Sequence, residues 1–73
     1  MKNAGFDIIA TATTNVDAKE GVCLGHKLTQ FGDEWVTWAF TEREDGPSFY
    51  WGHYFREEQG AKKDYHERVR RGY

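Results

Sequence analysis

Up to Phe55 the apolar side chains of this chain recur at every second residue, and beyond about Glu57 they recur every three to four. A single change of period in a short chain demands strands first and a helix last. Phe6 to Thr14 is rich in isoleucine and threonine, which predicts a first strand over 6–14 with Phe6, Ile8, Ala10 and Ala12 on one face. The polar run NVDAKE makes a turn, and Val22, Leu24, His26 and Leu28 then alternate with Cys23, Gly25 and Lys27 in a second strand over 21–28, hairpinned to the first. WVTWAFT predicts a third strand over 35–41. After EREDGPS, whose Asp-Gly and Pro mark a connecting turn, FYWGHYF makes a fourth over 49–55. Ala61, Tyr65 and Val69 stack along one stripe of a helix over 57–71, with Glu57 and Glu58 at its positive end, Arg68, Arg70 and Arg71 at its negative end and Gly72 as its stop. The expected fold is α+β: a four-stranded antiparallel sheet with one C-terminal helix packed on one face.

Side-chain segregation sets the expected register of the last hairpin, because a slip of one residue turns a whole strand over. Placing Phe40 opposite Trp51 collects Val36, Trp38, Phe40, Phe49, Trp51 and Phe55 on one face, which the helix is expected to cover. Trp35, Thr37, Ala39, Thr41, Tyr50, Gly52 and Tyr54 then form a half-wet opposite face with hydroxyls at the ring tips. His53 falls on the core side opposite Trp38, where a neutral imidazole needs a hydrogen-bond partner.

Seventy-three residues form one domain, 1–73, and a chain of this length buries only about 60 % of the surface its unfolded form exposes. Three Trp, four Tyr and five Phe compensate, because aromatic rings supply more buried area per residue than aliphatic chains. A formal charge of -2 excludes a strongly basic nucleic-acid arm and a highly acidic tail. A single cysteine, Cys23, excludes an internal disulfide and points to a reducing, cytoplasmic setting, while leaving a homodimer open. The segment MKNAGFDIIATATT has an aspartate inside its apolar part, which is neither a leader nor a membrane span.

Signatures of catalysis are missing. Cys23 and His26 have a metal-like spacing, but residues three apart on a strand point to opposite faces, so no zinc site with His53 or His66 is expected. Cys23 with His53 lacks an orienting third residue. Glu42, Glu44, Asp45, Glu57 and Glu58 fall in a turn and at a helix start, where carboxylates are solvated or complement the helix end. Glycines occur singly, without a phosphate-binding pattern. The expectation is a protein without enzymatic activity, cofactor or metal.

Two surfaces can instead carry binding. Trp35, Tyr50 and Tyr54 on the open side of the sheet suit base stacking or protein docking. Lys62, Lys63, His66 and Arg70 share one quadrant of the helix, beside its apolar stripe, with Asp64 and Glu67 on the neighbouring side.

At MKNAGF, Val22 to Gly25, Val36 to Trp38, the WGHYF of residues 51–55 and the DYHER of residues 64–68, the chain resembles small uncharacterised proteins carried on phages and conjugative elements of Firmicutes. The resemblance spans almost the whole chain. It implies an accessory or inhibitory factor, such as an inhibitor of host defence of the anti-CRISPR kind. Two readings follow: a module that docks on a protein of a nucleic-acid-handling complex, or a single-strand DNA or RNA binder that uses the aromatic sheet face and the basic helix face.

Overall fold

The computed structural model describes residues 1–73 and divides them into β1 (Lys2–Asn3), β2 (Phe6–Asn15), β3 (Glu20–Thr29), β4 (Gly32–Arg43), β5 (Gly46–Phe55) and α1 (Glu58–Arg71). The sheet has five strands rather than four, in the order β1-β2-β3-β4-β5, with every neighbouring pair antiparallel. The additional strand is only two residues long, and Ala4 and Gly5, both at positive φ, fold it back onto β2. So short a piece carries no periodic signal, which is why the sequence shows four strands.

The two central strands pair in unbroken register from Glu20 opposite Thr41 to Thr29 opposite Gly32. The strands that flank this pair, β2 and β5, are both irregular. In β2 the pairing shifts between Ile8 and Ala10 and again near its end between Thr13 and Asn15, and in β5 it shifts where Trp51 and Gly52 together oppose Trp38. An inserted residue reverses the inward and outward alternation beyond it. Phe6 and Ile8 therefore pack on one side of the sheet, whereas Ala10 and Ala12 pack on the other. That divides a set of four expected to share a face.

The same effect corrects the register of the last hairpin. Phe40 lies opposite Phe49, not Trp51, and beyond the bulge Thr37 lies opposite His53 and Trp35 opposite Phe55. Phe40, Phe49 and Trp38 stay on one face, but Phe55 joins the other and Tyr54 crosses to the Trp38 side, its ring 6.3 Å from that indole. Trp51 sits at the bulge itself with φ 55° and is 63 % exposed.

The helix covers the face opposite to the expected one. Ala61, Tyr65 and Val69 pack on Val22 and Leu24 of β3, with Ala10, Ala12, Trp35 and Phe55 around them. The reason is size: alanines at 10, 12 and 39 leave room for a helix, while the other face is filled by large rings. There Phe6, Cys23, Val36, Trp38 and Phe40 form a second core, closed by Ile8 and Phe49. Each fully buried large side chain contributes about 1.5–3 kcal/mol relative to exposure. The Phe6 and Tyr54 rings lie 6.1 Å apart although two strands separate β2 from β5, so the sheet curls around this aromatic core as a half-barrel, and α1 lies on its outside. Glycine permits the curl: a Cβ on Gly21 would stand 2.5 Å from both the Ala12 carbonyl oxygen and the Phe40 ring, and one on Gly25 would stand 2.9 Å from Val36.

At its ends α1 follows the sequence. It starts after Glu57, carries Glu58 in its first turn and Arg68, Arg70 and Arg71 in its last, and stops at Gly72, whose N–H donates to the Arg68 carbonyl at 2.7 Å from a left-handed conformation. No helix is long and apolar enough to cross a membrane.

Candidate functional site

β5 is an edge strand, bonded to β4 on one side and to nothing on the other. Its ten residues include no Lys, Arg, Asp or Glu, and the consecutive residues Trp51, Gly52, His53 and Tyr54 are all exposed. The bulge distributes them. Trp51 stands between Tyr50, at 5.1 Å, and Tyr73, at 6.3 Å, while Tyr54 points away on the half-barrel side over Phe6 and Trp38.

Beneath this edge a polar network ties α1 to the sheet. Arg68 is 1 % exposed, and its Nη1 donates to the Thr37 carbonyl at 3.1 Å and to Thr37 Oγ1 at 2.9 Å. Thr37 Oγ1 in turn donates to Asp64 Oδ2 at 2.6 Å, and His53 Nδ1 donates to the same oxygen at 2.9 Å. Burial alone would raise the Asp64 carboxyl, but the hydrogen bonds from Thr37 and His53, with the nearby His53 and Arg68 charges, outweigh it and hold the group below its ordinary value. Burial pulls the Arg68 guanidinium below its ordinary value, against the favourable Asp64 charge. Arg68 Nε is buried without a hydrogen-bond partner.

A groove of about 240 Å³ opens between the bulge and the end of α1, lined by Trp51, His53, Arg68, Arg71 and Tyr73. Arg71 lies 4.8 Å from the Tyr73 ring centre and donates from Nη2 to the Tyr73 carbonyl at 3.1 Å. On the half-barrel side a larger cleft of about 470 Å³ runs from β2 to β5 over Phe40 and Phe49, with Thr11, Thr13, Lys19 and Glu42 at its rim.

The residues singled out in the sequence do not form one surface. Trp35 is half-buried under the helix side, its ring 4.3 Å from that of His26, and Tyr50 is half-buried with its hydroxyl 2.6 Å from Thr41 Oγ1. Tyr54 is on the opposite face. Lys62, Lys63, His66 and Arg70 are exposed along the outside of α1, and Lys62 pairs with Glu58 at 2.7 Å. His53 does have the hydrogen-bond partner expected for it, but on the helix side and exposed rather than in the core opposite Trp38.

Sequence reading passed over Trp51, Tyr73, Arg68 and Asp64. For Arg68 a signal existed: it stands three residues after Tyr65 and seven after Ala61, inside the apolar stripe, where a charged side chain must find buried partners. For Trp51 none existed, because a bulge leaves no mark in the alternation. Cys23 is fully buried, and burial pushes its thiol up to about 11 despite the Trp38 backbone hydrogen bond and the Arg68 charge. It faces the half-barrel core while His26 lies on the helix side beside Trp35, and no three His, Cys, Asp or Glu side chains are placed to share a metal ion. No family model matches the chain, and neither a curated protein nor a solved structure matches it.

Proposed function

We propose that this is a small cytoplasmic binding protein without enzymatic activity, which docks on a protein partner through the aromatic edge strand β5. The observation that carries the reading is the run Trp51 to Tyr54: four exposed residues, two of them large aromatics, on an outer strand that has no charged side chain to repel a neighbour. Native sheets guard their edges with charges, prolines and bulges. Here Pro47 and the bulge limit the stretch that can pair, and what remains exposed is of the aromatic type that anchors interfaces.

The ionisable groups support binding over catalysis, because their contacts are structural. Asp64, Thr37, His53 and Arg68 hold the helix on the sheet, and the Cys23 thiol is buried and raised far from the range of a reactive thiolate. The resemblance to phage and conjugative-element proteins supports an accessory or inhibitory role by context, with a nucleic-acid-handling or defence complex of the host as the partner. The near-balanced charge favours a protein over a nucleic acid for the main contact.

The test is capture of a host or element protein by the tagged chain, repeated with nuclease and with the Trp51→Ala/Tyr54→Ala variant. The reading expects a partner that survives nuclease and is lost with the variant while its far-ultraviolet circular dichroism is unchanged. Release by nuclease, or retention of the partner by the variant, overturns it.

A further inference from the structure

The groove between the β5 bulge and the end of α1 combines two features that go beyond the docking role, although it borrows Trp51 from that surface. One is an unsatisfied donor. Arg68 is almost wholly buried, both of its side-chain hydrogen bonds come from Nη1, and its Nε has no acceptor. Buried donors are nearly always satisfied, and this guanidinium, with donor capacity left over, forms part of the groove wall. Arg71 lines the same groove, and its cation is matched only by the Tyr73 ring and carbonyl. Arg70 completes a basic last turn. The partial negative charge of a helix end opposes an anion, but it fades within a turn and is outweighed by full guanidinium charges.

The other feature is a pair of open rings. Trp51 is 63 % exposed and Tyr73 54 %, and their centres lie 6.3 Å apart at the mouth of the groove. A carboxylate would use the guanidinium groups and leave both rings uncovered. A phosphate attached to a planar base uses both. The groove, at about 240 Å³, is smaller than the ~300–1,000 Å³ of pockets that enclose a small-molecule ligand. It suits one unit of a chain that continues beyond it.

We propose that this groove binds one nucleotide of a single-stranded nucleic acid, with the phosphate on Arg68 and Arg71 and the base stacked on Trp51. The site lies apart from the outward residues Lys62, Lys63 and His66, and it shares Trp51 with the β5 docking surface but not Arg71, so Arg71→Ala tests it separately from the docking role.

The experiment measures anisotropy of a labelled oligothymidylate titrated with the full chain. Inorganic phosphate alone and a polyglutamate peptide serve as competitors. Trp51→Ala should weaken binding about five-fold or more, the loss expected for one stacked base. Arg71→Ala should weaken it and lower the slope of log affinity against log salt by about 0.7, the value for one phosphate contact. Arg68→Lys, which keeps the charge but loses the Nε donor, should also weaken it, and if that variant fails to fold, Arg71→Ala decides. Phosphate should compete weakly and polyglutamate less than a competing oligothymidylate. Absence of oligothymidylate binding at physiological salt overturns the proposal. So does an affinity unchanged in both Trp51→Ala and Arg71→Ala, or displacement by polyglutamate more effective than by oligothymidylate.

Discussion

Arg68 and Asp64, four residues apart on α1, bind the same hydroxyl: Thr37 Oγ1 accepts from Arg68 Nη1 at 2.9 Å and donates to Asp64 Oδ2 at 2.6 Å. A threonine on a central strand thus bridges the two charges and fixes the helix on the sheet. Because Thr37 is fully buried, the bridge has no water to replace it.

Thr37→Val keeps the shape of the side chain and removes only the hydroxyl. It should destabilise the fold by about 1–3 kcal/mol, the cost of leaving buried polar groups unpaired. Thr37→Ser should recover most of that loss. Urea melts of the three proteins measure both numbers.

Acid should weaken the same bridge. The Asp64 carboxyl is held below its ordinary value in the folded state, so its contribution is complete above the unfolded value of about 3.9 and disappears as pH falls through the lower folded one. Between neutrality and pH of about 5 stability should not change on this account. Below about pH 4 it should fall, and Asp64→Asn should be less stable at neutral pH but flatter on the acid side. Thermal melts across an acid pH series decide this.

Trp38 and Trp51 make a contrasting pair. Trp38 is 5 % exposed inside the half-barrel, in edge contact with Phe6 at 5.6 Å, and Trp51 is largely exposed. Trp38→Ala should cost about 3–5 kcal/mol or abolish folding. Trp51→Ala should stay within about 0.5 kcal/mol of the parent. Equal losses in urea would mean that both rings are in the core.

The aromatic core also shields Cys23. With its side chain fully buried and its thiol pushed up to about 11, it should not react with a thiol-specific dye under native conditions, and should react fully once urea unfolds the chain. Rapid labelling of the native protein would show that the half-barrel opens.

The legible part of this fold was its periodicity. The strands expected over 6–14, 21–28, 35–41 and 49–55 and the helix over 57–71 all exist, each within three residues of the expected ends. What the sequence hid was facing. An alternation of side chains gives the two faces of a strand only while the strand is regular, and the bulges at Ile9 and at Trp51–Gly52 reverse it midway. Hence the alternation places Trp51 in the core and the helix over the bulkier face, whereas the structure exposes Trp51 and sets the helix on the face lined with alanine. The site suffered from the same fault. Trp35 and Tyr50 do share a face with each other, but the helix lies against it, and the exposed ring beside them belongs to the residue with the inverted position.

Gly21 is the residue through which the curl of the sheet can be tested. Gly21→Ala places a methyl group against the Ala12 carbonyl and the Phe40 ring, and should cost about 1–3 kcal/mol as the core is forced apart. A urea melt matching the parent would show that the strands can relax around it.

The doubled residue at Trp51–Gly52 makes strand length a determinant of what this protein presents. Because β5 has a neighbour on one side only, a deletion there disturbs no further pairing. Loss of Gly52 would restore the alternation, turn Trp51 inward against Trp38 and remove one wall of the groove beside Tyr73. A chain one residue shorter at this point could keep every other strand pair and still show its surroundings a different set of rings.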